Sequence, residues 1–179
     1  MGWGTGTTVQ DSTLLTELQV KADPTEYQTT RQPTTKITVT IAAAAAAYHA
    51  GDIVGAVVDL TPMGRANGGG GYITGAVLTD YALQSIAGEA WLSSVTPAGA
   101  PADNAAWTMT DNDDAVGVIP FNTYYASALN SVSNGAIPNG SMPFVCEGGD
   151  QSLFLAFVTR GTPTYIANGL ILTLFYVQD

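Results

Sequence analysis

The chain has 179 residues, 46% of them hydrophobic and 11% charged, a balance that suits one domain of ordinary size. Its 20 glycines and 9 prolines indicate many short strands and turns and exclude a helical bundle. Five Lys and Arg oppose 15 Asp and Glu without forming a cluster, which excludes a direct nucleic-acid role, and no apolar run reaches the ~18 residues of a membrane span.

Residues 1–36 differ in composition from the rest of the chain, because Thr, Gln, Gly and Asp dominate them. Only Thr13–Val20 is apolar enough to pack. We predict an extended N-terminal arm with one short docked element, and a frayed terminus is the alternative. Residues 37–179 are predicted to form the body, in which eleven acidic residues oppose only Arg65 and Arg160.

The body is predicted to contain about eight strands. Lys36–Ile41 alternates polar and apolar residues, which predicts a strand with Ile37, Val39 and Ile41 facing the core. The other strands are predicted at Ile53–Leu60, Tyr72–Asp80, Ala87–Ser94, Val118–Phe121, Met142–Val145, Leu153–Val158 and Leu170–Val177. Pro120 implies a strand at a sheet edge or a strand end.

Four segments are predicted to connect these strands. Ala42–Ala47 is too short to repay helix nucleation, so we expect a connection or a strand end. Met63–Gly71 contains four consecutive glycines and predicts an exposed loop. Thr110–Val116 begins like a helix and ends at glycine, which predicts a single helical turn. Asn130–Gly149 is rich in turn residues and predicts a long exposed loop broken at Met142–Val145.

The last two apolar runs, Leu153–Val158 and Leu170–Val177, define the fold class. Gly161, Pro163 and the Asn168-Gly169 pair predict a reversing loop between them, so we expect two neighbouring antiparallel strands. Both faces of each run are apolar, which places them inside a two-layered structure. We predict an all-β, jelly-roll-like antiparallel sandwich or barrel with Leu155 and Leu172 in its core.

Candidate reactive or metal-binding residues give weak signals. His49 is the single histidine, and no Gly-x-Ser-x-Gly elbow accompanies it, so a surface or hinge role is favoured over a catalytic triad. The acids between Asp111 and Asp114 fit calcium, but they also fit a helix cap, and the EF-hand spacing fails at Val116 and Asn122. We expect no catalytic, cofactor-binding or metal-binding residues.

Other motifs have equally plain explanations. Gly64–Gly71 lacks the ending of a phosphate-binding loop, and Asn139-Gly140-Ser141 matches a glycosylation acceptor only for a secreted chain. Cys146 is the single cysteine, which leaves no intrachain disulfide, and the first residues do not resemble a secretory signal, so we expect folding in a reducing cytosol. Aromatic residues that could stack on sugars or pack in the core include Trp3, Trp91 and Trp107.

Three segments carry a resemblance to known proteins: Tyr48–Gly55, Asp103–Asp113 and Thr159–Tyr165. In order, they resemble the patterns Tyr-x-x-Gly-Asp-x-Val-Gly, Asp-Asn-Ala-Ala-Phe and Arg-Gly-Thr-Pro-Thr-Tyr of a family of tailed-bacteriophage virion proteins. Trp107 stands where that family has Phe, and His49 stands where small residues are common. The resemblance spans residues 37–179 and leaves the arm outside it.

The resemblance implies a small β-sandwich that decorates or cements the outside of an icosahedral phage head. Its implied partners are the major capsid protein and further copies of itself, as a homotrimer, and its implied location is the outer surface of the virion after synthesis in the host cytoplasm. Two alternatives stay open. One is a tail or fibre component that recognises host-surface glycan through exposed aromatic residues and the 64–71 loop, and the other is an enzyme such as a glycan hydrolase.

Overall fold

The computed structural model of the chain describes residues 33–109 and 114–179. Within these residues the chain forms strands in two antiparallel sheets. In chain order, the strands are β1 (Thr35–Ile41), β2 (Ile53–Leu60), β3 (Gly70–Asp80), β4 (Gly88–Ser93), β5 (Ala115–Phe121), β6 (Tyr124–Ala126), β7 (Ser131–Asn134), β8 (Met142–Val145), β9 (Leu153–Thr159) and β10 (Leu170–Gln178). One sheet has the order β1-β10-β3-β7-β6, with β8 also paired to β3, and the other has the order β2-β9-β4-β5.

The strand pairs are nested from the two ends of the body inwards. β1 pairs with β10, β2 with β9, β3 with β7, and β4 with β5. Successive pairs lie alternately in the six-stranded and the four-stranded sheet. This nesting is the jelly-roll arrangement, with β6 and β8 as additions to it. The prediction of an all-β, jelly-roll-like sandwich is therefore confirmed.

The hydrophobic core lies between the two sheets. Leu155 on β9 and Leu172 on β10 are 0% exposed, which confirms both as core positions. Ile41 is buried, and Ile37 and Val39 are half-buried against the same cluster, as the alternation in β1 predicted. Each large side chain buried in this way contributes roughly 1.5–3 kcal/mol to folding.

The prediction that β9 and β10 are neighbours is wrong. They lie in opposite sheets, because residues 160–169 cross from one sheet to the other instead of closing a hairpin. The backbone of this crossing pairs with the β1–β2 connection, where Tyr48 N–H donates to Pro163 O at 2.9 Å and Tyr165 N–H donates to Ala46 O at 3.2 Å. These hydrogen bonds replace the hairpin contacts that the turn residues suggested.

The long exposed loop predicted at Asn130–Gly149 is also partly wrong, because it contains β7 as well as β8. Ser131 and Ser133 on β7 are 0% exposed, whereas Val132 between them points outward. This strand has polar residues inside and its apolar residue outside, the reverse of the usual pattern. Periodicity alone therefore did not reveal it.

Two other segments differ from prediction. Of the predicted helical turn at Thr110–Val116, Asp114 has the 3-10 conformation, whereas Ala115 and Val116 belong to β5, where Val116 packs against the core; residues 110–113 lie outside the described residues. Gly70 and Gly71 belong to β3 rather than to an exposed loop. A Cβ atom at Gly71 would lie 2.0 Å from Val177 O, so only glycine allows β10 to approach this closely.

Several connections match their predictions. Ala42–Ala47 contains no helix, and Pro120 lies on β5, an edge strand of the four-stranded sheet. Pro33–Asp179 forms one compact unit. The prediction of an extended arm falls almost entirely on residues 1–32, outside the described residues.

Candidate assembly surface

The residues that the sequence analysis considered as catalytic or metal-binding candidates do not come together at one site among the described residues. The His49 side chain is 87% exposed beside the turn that leads into β2, and its Nδ1 atom lies 3.5 Å from Asp52 Oδ2. Asp52 also accepts a hydrogen bond from the His49 N–H at 2.7 Å, so this carboxylate closes the turn. The geometry is that of a surface turn.

The acidic segment Asp111–Asp114 is described only at its last residue, so the calcium and capping alternatives lie outside the described residues. Elsewhere in residues 33–109 and 114–179, no three His, Cys, Asp or Glu side chains gather in a geometry that could hold a metal ion.

The remaining acids near loops bind backbone groups. Asp80 accepts from the N–H groups of Ala82, Gln84 and Ser85 at 2.8–3.0 Å, which fixes the β3–β4 loop. Asp150 similarly accepts from Gln151 and Ser152. These carboxylates have structural partners of their own.

Residues Arg65–Asn67 of the Gly64–Gly71 segment and the Asn139-Gly140-Ser141 motif are both exposed at the surface. Gly68 N–H donates to Asp150 O at 2.8 Å, which ties the loop to the segment before β9. Asn139 lies in a single 3-10 turn, Pro138–Gly140, with a positive φ of 54°. Neither arrangement gathers side chains around a common point.

Trp91 and Trp107 contact each other rather than forming an open platform. Their ring centroids are 6.3 Å apart at an interplanar angle of 58°, and Trp91 Nε1–H donates to Glu89 Oε2 at 2.9 Å. Glu89 also pairs with Arg160, which lowers the pKa of the Glu89 carboxyl below its ordinary value. Trp3 lies outside the described residues.

The three segments that carry the phage resemblance meet at one end of the sandwich. Tyr48 O–H donates to Asp103 Oδ1 at 2.9 Å, and the same oxygen accepts from the Gly55 N–H at 2.7 Å. Tyr165 packs against Tyr48 with ring centroids 5.6 Å apart. Gly55 has a φ of +74°, and a Cβ there would lie 3.1 Å from Ala42 backbone atoms, so glycine is required. We call Tyr48, Gly55, Asp103 and Tyr165 the loop junction.

Within the loop junction, the Tyr48 hydroxyl, the Asp103 Oδ1 atom and the Gly55 N–H are hydrogen-bonded to one another or to the backbone. The residues of the loop junction all lie in the three segments that carry the resemblance, but the sequence analysis did not predict that these segments meet in space. The residue types in these segments could have indicated the contact. A tyrosine, a glycine at a turn and an isolated aspartate are the residues that a buried hydrogen-bond junction needs.

The loop junction makes stability sensitive to high pH. Burial and the hydrogen bond to Asp103 raise the pKa of Tyr48 from 10.0 to about 12, and burial raises the pKa of Tyr165 as well. The folded protein therefore holds these protons more tightly than the unfolded chain. The contribution of these two tyrosines to stability should be constant below about pH 10 and should be lost as the pH rises from there through about 12.

Urea unfolding at about pH 8 and about pH 11.5 checks this expectation, with a lower midpoint at the higher pH. The Tyr48→Phe variant is the control, because it removes one of the ionising groups and should flatten the pH dependence. A midpoint that is independent of pH over this range would contradict the expectation.

The outer face of the four-stranded sheet is covered by the chain itself. The β4–β5 connection lies over this face. Ser94 N–H donates to Asp114 O beside β4 and β5, and Ile53 N–H donates to Ala105 O beside β2. Trp107 N–H donates to Gly51 O at 2.8 Å, which holds the Trp107 ring over Trp91. Consequently Ala156 and Val158, which point outward from β9, are buried.

The outer face of the six-stranded sheet has no such cover within the described residues. Its side chains form continuous rows across the strands, one of which runs Tyr125, Val132, Thr79, Ile171 and Thr40. The next row runs Asn134, Val77, Thr173 and Thr38, and shorter rows contain Phe175 with Lys36, and Pro143, Tyr72 and Val177. We call this surface the open face.

The open face is almost free of charge. Among its strand residues only Lys36 is charged, at the edge strand, and Asp179 follows β10 at one corner. Its centre consists of Val77, Ile171, Thr173 and Phe175, all half-buried by their neighbours. A broad uncharged surface on a chain with a net charge of −10 is a candidate interaction surface.

The chain matches no family model, no curated protein and no solved structure. In the described part of the chain there is no helix with the length and apolar character to cross a membrane.

Proposed function

We propose that this protein is a non-enzymatic structural component of a tailed-bacteriophage virion, which decorates the outer surface of the capsid and stabilises it. Its partners are the major capsid protein and other copies of itself, in a homotrimer, and it is synthesised in the host cytoplasm. The observation that carries the proposal is the open face on a jelly-roll body. The resemblance of the three segments that build the loop junction supports the phage assignment.

The mechanism is one of geometry. A body that contacts two neighbouring capsomers adds interface area between them, and stable interfaces bury roughly 1,200–2,000 Å². The shell then opens at a higher temperature or internal pressure. Three of the acids are engaged within the body and fit this role: the buried Asp52 and Asp80 and the half-buried Asp103 bind backbone or tyrosine donors.

Immunoelectron microscopy of the virions tests the proposal. Antibody against the body should label the heads at many positions, and particles assembled without this protein should release their DNA at a lower temperature. Label confined to the tail, or heads that open at an unchanged temperature, would overturn it.

Removing residues 1–30 should weaken binding to capsids while leaving the body folded. The expected reason is that an extended segment covers much partner surface for few residues. Pro33–Asp179 is a compact unit by itself, so the truncated protein should melt cooperatively. Co-sedimentation with capsids that lack the protein measures the effect, and unaltered affinity would count against a role for the arm.

The alternative is a tail or fibre component that binds host-surface glycan. Exposed tyrosines favour it, since Tyr72, Tyr81 and Tyr125 are 47%, 44% and 68% exposed. However, Tyr72 and Tyr81 lie at opposite ends of β3, about 30 Å apart at the usual rise per residue, so they cannot stack on one sugar. Saturable binding of the isolated protein on a glycan array would favour this alternative.

A further inference from the structure

β10 is apolar on both of its faces, although only one of them faces the core. Leu170, Leu172 and Leu174 point inward and are buried, whereas Ile171, Phe175 and Val177 point outward onto the open face. A strand that is apolar on both sides is typical of a sheet that is covered on both sides. The four-stranded sheet has such a cover in the β4–β5 connection, and the six-stranded sheet has none within the described residues.

From this pattern we infer that the open face is buried against a second copy of this chain. The inference deepens the self-association in the proposed function and rests on it. It names the surface through which the copies meet, with Val77, Ile171, Thr173 and Phe175 at the centre of the contact.

Charge favours a second copy over a different protein as the occupant. Each chain has a net charge of −10, so copies repel one another wherever their acidic surfaces approach. The open face lacks that repulsion, because its strands carry no acidic side chain among the outward residues. A basic partner would be drawn to the acidic remainder of the surface instead, since electrostatic complementarity selects partners of opposite charge.

The area of the open face is sufficient for a specific contact. The six strands of this sheet contain 38 residues in total, which at a rise of about 3.4 Å per residue and a spacing of about 4.8 Å give a footprint of about 600 Å². Two copies would then bury about 1,200 Å² together, which is the lower limit for stable interfaces. Aliphatic side chains of two sheets can interdigitate at a separation of about 10 Å, as they do within a sandwich.

Sedimentation velocity of the isolated full-length protein tests the inference without capsids. The unaltered chain should associate at micromolar concentration, and salt at roughly 0.5 M should strengthen the association by screening the net charge. The Val77→Lys variant should associate about 100-fold more weakly, because the contact would bury an unpaired charge. Thr173→Lys, which replaces a residue that is already polar, should do the same if Val77→Lys folds poorly.

The matched control is Val118→Lys, which changes a half-buried valine that faces outward from the other sheet. It should leave self-association unchanged. A dimer would indicate that the open face pairs with itself about a two-fold axis, and a trimer would indicate that it meets another surface of the next copy; both bury it. A chain that stays monomeric up to about 100 µM overturns the inference, as does association that Val77→Lys and Thr173→Lys leave intact.

Failure of this test is distinct from failure of the proposed function. A monomeric chain that still labels phage heads would refute the contact between copies and keep the capsid role. Self-association through the open face without labelling of heads would keep the contact between copies and refute the capsid role. If residues 1–32 of the same chain covered the open face, the unaltered protein would be monomeric and the inference would fail.

Discussion

Replacing Leu155 with Asp should prevent the protein from folding. Leu155 is 0% exposed and lies in the middle of the four-stranded sheet, opposite Val58 on one side and Leu92 on the other. A carboxylate there has neither solvent nor a partner, and its cost is comparable with the roughly 5–15 kcal/mol that separates a folded domain from its unfolded chain. Circular dichroism should show no cooperative thermal transition.

Leu172 provides an independent test in the other sheet, and its neighbour provides the control. Leu172→Asp should have the same effect as Leu155→Asp, because Leu172 is also 0% exposed. Thr173→Asp, one residue further along β10, points to the opposite side and should leave a cooperative transition. A soluble Leu155→Asp protein that melts cooperatively would show that the strand assignment is wrong.

The Asp103→Ala substitution should produce the second large effect by breaking the loop junction. It removes the acceptor for Tyr48 O–H and for Gly55 N–H, so both donors lose their partner, and the Tyr48 oxygen keeps only the hydrogen bond that it accepts from Ala44 N–H. The expected loss is about 2–4 kcal/mol, which corresponds to a fall in Tm of roughly 5–12 °C for a body of this size. Differential scanning calorimetry measures it.

Two variants separate the hydrogen bonds from a general effect of charge. Asp103→Asn keeps an oxygen in place that can accept both hydrogen bonds, so its loss should be clearly smaller. Asp59→Ala removes an exposed aspartate from β2 and should change Tm by little. Equal losses for Asp103→Ala and Asp59→Ala would refute the role given to the loop junction.

The strands that sequence reasoning found are those whose side chains follow a simple pattern. β1 alternates, and β9 is a continuous apolar run, so their positions follow from periodicity. β7 was not predicted, because its inward-facing residues are serines and its strand therefore lacks the usual apolar alternation. The partners of β9 and β10 could not be predicted, because turn residues between two strands are compatible both with a hairpin and with a crossing between sheets.

The open face could not be predicted from the sequence either, because both faces of β10 are apolar. Sequence reasoning took both faces of β10 as interior, because nothing in its composition distinguishes Ile171 and Phe175 from Leu172 and Leu174. Only the burial of Leu172 and Leu174 in the core between the sheets shows that Ile171 and Phe175 lie on the face that is uncovered among the described residues. The loop junction likewise needs three segments that are about 50 to 60 residues apart in the sequence, and contacts over such separations leave no local signal.

The position of β10 between β1 and β3 has a consequence for biosynthesis. β10 is the last of the described strands in chain order, and β1 and β3 both pair with it. During translation β1 has no partner strand, and pairings of such long sequence separation form slowly. The six-stranded sheet therefore stays incomplete until β10 has been synthesised, and this is the period when binding by a chaperone would matter most.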